Sequence, residues 1–93
     1  MSRISKEKRE KIMADILATI YQHTPKPLFT VNIARFLARD EEFVKGLLLE
    51  LKNKKLVVEV KKNPKGVEYL RRSRWRLSDS AYQSYKQHQP TQI

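Results

Sequence analysis

The 93-residue sequence contains no cysteine, which excludes disulfide bonds, zinc–thiolate sites and thiol nucleophiles. It contains only two glycines, Gly46 and Gly66, and they are too far apart to form a glycine-rich phosphate-binding loop. It also lacks an apolar run of the roughly 18 residues that a membrane span requires, and its N-terminal stretch MSRISKEKREK lacks the apolar segment of a signal peptide. From these absences we expect a cytoplasmic protein.

Residues suited to catalysis or metal binding are equally scarce. The two histidines, His23 and His88, lie near predicted helix ends without a partner at metal-ligand spacing. Three adjacent acidic residues, 40–42, fall at a predicted helix N-terminus, where the helix dipole favours carboxylates. We therefore expect no catalytic residue, no metal and no cofactor, and we predict that the protein is not an enzyme.

Acidic residues are outnumbered two to one, because 20 Lys and Arg stand against 10 Asp and Glu, giving a net charge of +10. A surplus of this size is not neutralised within the chain. Polyanions are therefore the expected partners, with nucleic acid favoured over a membrane surface, and a nucleoid-associated protein is expected. The segment 61–76, KKNPKGVEYLRRSRWR, is the most basic part, with seven Lys or Arg residues and one Glu.

Apolar spacing predicts four helices. The first runs from near Ser5 to near His23, and the second follows Thr30, which we expect to be its N-cap. The third is capped by Asp40, and the last is short and capped by Ser78. About three residues, ARD, join the second and third helices, a length that suits a helix-turn-helix. The expected core positions of the last three helices are Ile33, Ala34, Leu37, Val44, Leu47, Leu48, Leu51, Ala81, Tyr82 and Tyr85.

After the third helix the apolar period changes from helical to two. This alternation predicts a half-buried strand with Leu56, Val58 and Val60 on its apolar face. The residues KNPKG predict a turn, and a second strand ends with Trp75 and Leu77 on its inner face. We call this hairpin, residues 56–77, the wing. A further short strand is predicted at Leu-Phe, residues 28–29.

The order of these elements is that of a winged helix. The stretch IARFLARDEEFVKGLLLELKNKKLV resembles the helix-turn-helix of MarR-like and related winged-helix transcription regulators, and RWRLSDSAY resembles the exit from their wing. The resemblance covers roughly residues 5–88. It implies an α+β, mostly helical fold: a three-helix bundle with a helix-turn-helix, a β-hairpin wing and a short C-terminal helix. We assign 1–4 to an N-terminal arm, 5–89 to the winged-helix domain and 90–93 to a tail.

The resemblance implies a transcription regulator that binds double-stranded DNA with its third helix in or over the major groove. The outward face of that helix departs from the usual pattern, because Glu42 repels phosphate and Leu49 is apolar. Glu42 can still accept a hydrogen bond from cytosine, and Leu49 can meet a thymine methyl or a protein. Candidate DNA-binding residues on the helices are Asn32, Arg35 and Arg39, for phosphates, and Glu42, Lys45, Leu49 and Asn53, for bases.

The wing is the stronger candidate for binding DNA, because Arg and Lys can contact phosphates or enter a narrow minor groove. Its candidate residues are Lys61, Lys62, Lys65, Arg71, Arg72, Arg74 and Arg76. The basic N-terminus (Arg3, Lys6, Lys8 and Arg9) is either an arm over the DNA backbone or the solvated start of a helix.

Two other functions fit the same sequence. The chain can be a winged-helix interaction module of a larger nucleic-acid-processing assembly, with Phe43, Leu49 and Tyr69 contacting a protein partner. Alternatively, single-stranded nucleic acid can stack on aromatic residues of the basic region, although Trp75 is better explained as a core residue. A homodimer through the first and last helices is also expected for a regulator that recognises palindromic sites.

Overall fold

The computed structural model describes residues 5–61 and 73–88, which form a three-helix bundle, a three-stranded antiparallel sheet and a C-terminal helix. The elements are α1 (Lys6–His23), β1 (Leu28–Phe29), α2 (Thr30–Leu37), α3 (Glu41–Asn53), β2 (Val57–Val60), β3 (Arg74–Leu77) and α4 (Asp79–His88). This is the predicted winged helix, and the three-residue connection between α2 and α3 is also as predicted. The KNPKG turn, the N-terminal arm and the C-terminal tail lie outside the described residues, so the domain limits stay predictions.

Side-chain caps begin three of the four helices. Ser5, Asp40 and Ser78 each accept a hydrogen bond from the backbone N–H three residues later, at distances of 3.1 to 3.2 Å. These bonds satisfy N–H groups that have no partner within the helix. The caps at Asp40 and Ser78 were predicted from the sequence, and Ser5 lies where the first helix was predicted to begin.

The core lies between the three bundle helices and one face of the sheet. Each bundle helix contributes the apolar stripe that its period predicts, and that of α3 consists of four residues that are at most 1% exposed. These residues are Val44, Leu47, Leu48 and Leu51. Because this stripe is fully buried, the opposite side of α3 is held facing solvent.

The strand β3 lies in the middle of the sheet and pairs with both β1 and β2. Val57 of β2 is directly opposite Leu77 of β3, and both are buried, since directly opposite residues share one face of a sheet. The predicted apolar face of β2 is therefore wrong: Val57 is its buried residue, whereas Val58 and Val60 are half-buried. Four of the five residues 56–60 are apolar, so their alternation did not show which set of residues faces the core.

Trp75 is completely buried, and its indole Nε1 donates a hydrogen bond of 2.8 Å to the hydroxyl of Thr30. This bond changes the predicted role of Thr30. Phe29 occupies the N-cap position of α2 without a side-chain hydrogen bond, and Thr30 is the first residue of the helix. The threonine hydroxyl therefore joins α2 to β3, and it does not cap the helix as predicted.

The C-terminal helix α4 packs against α1 through tyrosines. The rings of Tyr82 and Tyr85 lie 5.6 Å and 4.9 Å from the ring of Tyr21, measured between centroids. Burial, together with the charge of Asp15, raises the pKa of Tyr85. These two α4 rings contact their own chain, and the homodimer through α1 and α4 stays a prediction.

Replacing Thr30 by Val should destabilise the fold by about 1–3 kcal/mol, because it leaves the buried indole N–H without an acceptor. Thr30→Ser is the matched control, since it removes the methyl group but keeps the hydroxyl. Urea unfolding followed by circular dichroism measures both variants. A Val variant as stable as the Ser variant would show that the hydrogen bond does not stabilise the fold.

Candidate nucleic-acid interface

The exposed face of α3 is a single stripe. Glu42, Gly46, Leu49 and Asn53 are all exposed and follow one another at steps of four, three and four residues. At a rise of 1.5 Å per residue the stripe is about 16 Å long, or roughly five base-pair steps. It lies opposite the four buried residues of the helix, so the structure brings these predicted residues together on one accessible surface.

Lys45 lies beside this stripe, on the side of α3 that faces the sheet. It borders a groove between the start of α2, the first half of α3 and the strand β3. The other residues of the groove are Phe29, Thr30, Val31, Glu41, Ser73 and Trp75. Lys45 is the cation among these residues. Because the groove also includes Ser73 and Trp75, Lys45 lies between the exposed face of α3 and the base of the wing.

Glu59 joins the base of the wing to the end of α3. One carboxylate oxygen accepts a 2.8 Å hydrogen bond from Lys52 Nζ and lies 4.0 Å from Lys61 Nζ, and the other accepts from the Ser73 hydroxyl. Burial alone would raise the pKa of Glu59, but these hydrogen bonds and the charges of Lys52 and Lys61 lower it below its ordinary value of 4.5. The carboxylate thus holds both wing strands against α3.

The three described cations of the wing have different surroundings. Lys61 is well exposed, with 62% of its side chain accessible. Arg74 is half-buried, and its Cζ lies 4.5 Å from the centre of the Phe29 ring, a cation–π distance. Arg76 lies 3.6 Å from Asp79 and borders a groove with Lys26 and Tyr82, so it sits at the α4 end of β3.

The remaining wing candidates, Lys62, Lys65, Arg71 and Arg72, lie outside the described residues, as does Tyr69. The wing contribution to binding therefore stays a prediction at these positions. The structure describes the base of the wing, where Lys61 directly follows β2 and Ser73 directly precedes β3.

Further cations of the bundle lie on α1 and around the end of α2. Arg35 and Arg39 are exposed, and Asn32 is half-buried. Arg39 borders a groove with Lys8 and Lys11 of α1. Arg9 forms an ion pair with Glu50 of α3. Lys6, Lys8 and Arg9 lie within α1, whereas Arg3 and the rest of the predicted arm, residues 1–4, lie outside the described residues.

Three residues with clear roles were not found from the sequence. Glu59 looked like an ordinary solvent-facing strand residue, and Lys11 gave no signal that it would border the same groove as Arg39. Phe36 is 59% exposed, with its ring 4.9 Å from that of His23. A sequence signal existed only for Phe36, because it falls outside the helical spacing of Ile33, Ala34 and Leu37.

The described residues contain no group of three or more acidic, histidine or cysteine side chains arranged to hold a metal. In the same ranges, 5–61 and 73–88, no helix has the length and apolarity needed to cross a bilayer.

Comparison with known proteins supports the fold. No protein-family model matches the sequence, and no curated protein matches it. Solved structures do match. S. aureus MepR in complex with DNA has a TM-score of 0.71 at 24% identity, over 87% of this chain and 64% of that one. A mutant of Lactococcus lactis ZitR has a TM-score of 0.68 at 20% identity, over 95% of this chain and 56% of that one.

A third match is the PcaV transcriptional regulator of Streptomyces coelicolor with its natural ligand, at a TM-score of 0.64 and 19% identity, over 89% of this chain and 54% of that one. These neighbours are MarR-family transcription regulators, a non-enzymatic class. The expected resemblance to MarR-like regulators is thus confirmed at the level of the fold. The chain spans slightly more than half of the length of most of these structures.

The contacts of Glu59 with Lys52, Lys61 and Ser73, which we call the Glu59 clamp, predict a specific pH dependence of stability. Because the folded pKa lies below the unfolded one, the carboxylate stabilises the fold at pH above about 4.5 and this stabilisation is lost as the pH falls through the folded pKa. Glu59→Gln should cost about 1–2 kcal/mol at neutral pH. Urea unfolding of both chains across a pH series should show this difference shrinking on acidification. A pH-independent difference would contradict the clamp.

Replacing Gly46 by Ala should stabilise the fold by about 1 kcal/mol, the usual difference between the two residues inside a helix. The structure offers no steric penalty, since a Cβ at Gly46 would have no side chain or neighbouring element within 4 Å. Urea unfolding of the variant checks this. Destabilisation would mean that the space above Gly46 is filled in the native protein.

Proposed function

We propose that this protein is a winged-helix transcription regulator that binds double-stranded DNA. In this proposal the outer face of α3 lies in or over the major groove. The wing and α2 contact the sugar–phosphate backbone, and the wing also contacts the minor groove. The whole regulator, including its regulated process and any dimer, belongs to the proposal, because the chain matches only part of the length of its neighbours.

The observation that carries the proposal is the placement of α3. Four buried residues fix the helix on the core, and its opposite face is exposed over the full length of the helix. An α-helix presented in this way fits the width of the major groove. Structures with this fold include MepR bound to DNA and a MepR mutant bound to an oligodeoxyribonucleotide, which supports the same use of the fold here.

Electrostatics support the same proposal. The net charge of +10 produces a long-range attraction to a polyanion. Exposed cations lie in two places: Lys45 borders the groove next to the base of the wing, where Lys61 is exposed, and Lys8, Lys11 and Arg39 border a groove beside α1 together with Asp15. Phosphate contacts on both sides position a helix over the groove, while base contacts determine the sequence preference.

A second candidate function is a protein-interaction module of a larger nucleic-acid-processing assembly. One observation favours it: Phe36 and Leu49 are the large apolar side chains that the described part exposes, at 59% and 42%. An interaction module need not bind duplex DNA by itself. Duplex binding by the isolated chain therefore separates the two functions.

Titration of a fluorescently labelled duplex by anisotropy, at increasing salt, tests the leading function. About six phosphate contacts predict a slope near −5 for the logarithm of the binding constant against that of the salt concentration. An absence of binding at low salt would contradict DNA binding and leave the interaction module.

Arg35→Ala should weaken binding to all duplexes alike and reduce the magnitude of that salt slope by roughly 1, the effect of losing one phosphate contact. The matched control is Lys86→Ala, which removes the same charge from the exposed side of α4. The control should keep the affinity and slope of the native chain. Equal losses in both variants would indicate diffuse attraction without a defined surface.

A further inference from the structure

Leu49 is an apolar side chain in the middle of a polar surface. It is 42% exposed, and its neighbours along the stripe are Glu42 and Gly46 on one side and Asn53 on the other. The buried face of α3 already has its own four apolar residues, so Leu49 adds nothing to the core. Its exposed methyl groups are therefore available for contact with a binding partner.

The space next to Leu49 is open. Gly46 lies three residues earlier, which makes it a surface neighbour on the helix. A Cβ at Gly46 would meet no side chain and no other element within 4 Å. Without a side chain at position 46, a flat group can approach the helix backbone and still touch the Leu49 methyl groups.

Base edges in the major groove offer one exposed methyl group, the 5-methyl of thymine, and otherwise hydrogen-bonding atoms. We propose that Leu49 is a specificity-determining residue that selects thymine by contact with this methyl group, with Gly46 giving the base pair room to approach. The proposal rests on the duplex binding proposed above, and it adds the base that the centre of α3 recognises.

The surroundings of Leu49 favour DNA over a protein partner. A stable protein interface buries about 800 Å² on each side around an apolar centre. Leu49 has no large apolar neighbour on the α3 stripe, and the other exposed large apolar side chain among residues 5–61 and 73–88, Phe36, lies on α2 against His23. A single leucine among polar groups is too small for such an interface, but it matches the size of one methyl group on a base edge.

The test begins with selection of bound duplexes from a random-sequence pool by the full chain. Each thymine of the selected site is then replaced singly by deoxyuridine, which removes the methyl group and keeps the base pair. We expect one such position per bound α3 at which affinity falls about fourfold, the effect of one buried methyl-sized group. Leu49→Ala should bind the two versions of that site equally.

Phe36→Ala is the matched control, because it also removes an exposed apolar side chain but from α2. It should keep the native discrimination between thymine and deoxyuridine. If the duplex is bound but Leu49→Ala discriminates as the native chain does, or if no sequence is preferred, the thymine contact is refuted and DNA binding stands. If no duplex is bound at all, the proposed function fails and the contact fails with it.

Discussion

The position of Trp75 is the constraint on which the rest of the structure depends. Its indole is fully buried in the middle strand of the sheet, and it donates a hydrogen bond to Thr30 at the start of α2. The same residue is directly opposite Leu28 of β1 and Glu59 of β2. One side chain therefore sets the position of the helix-turn-helix relative to the wing. Any surface formed by α3 and the wing together has its geometry determined at this point.

The candidate interface follows from that arrangement. The buried stripe of α3 turns Leu49 and its polar neighbours outward, and the Glu59 clamp holds the wing strands beside the last turn of the helix. Lys45 lies beside this surface and Lys61 at the base of the wing, and the centre of the surface carries few charges. With this distribution of charge, the cations beside the surface can contact phosphates while its centre contacts the bases. It also accounts for Glu42, since an acceptor over the centre of the groove lies farther from the phosphates than one at the edge.

Local patterns in the sequence predicted most of the fold, because caps and apolar stripes depend on neighbours within one or two helical turns. The caps at Asp40 and Ser78 are of this kind. Features that depend on distant partners were not accessible. The Thr30 hydroxyl bonds a residue 45 positions away, and the phase of β2 follows from pairing of Val57 with Leu77. Likewise, the position of Arg74 over the Phe29 ring follows from β1–β3 pairing. The candidate site was predicted residue by residue, whereas its edges on α1 and at Glu59 required the three-dimensional structure.

The most direct test of the account is a map of which backbone amides respond to DNA. Two-dimensional NMR spectra of the labelled chain, recorded during titration with a duplex, give this map for each assigned residue. The account predicts that the largest shifts occur along α3 at residues 42, 45, 46, 49 and 53 and at the base of the wing around 59–61 and 73, with α4 unchanged. Shifts concentrated on α4, with the α3 face unaffected, would contradict it.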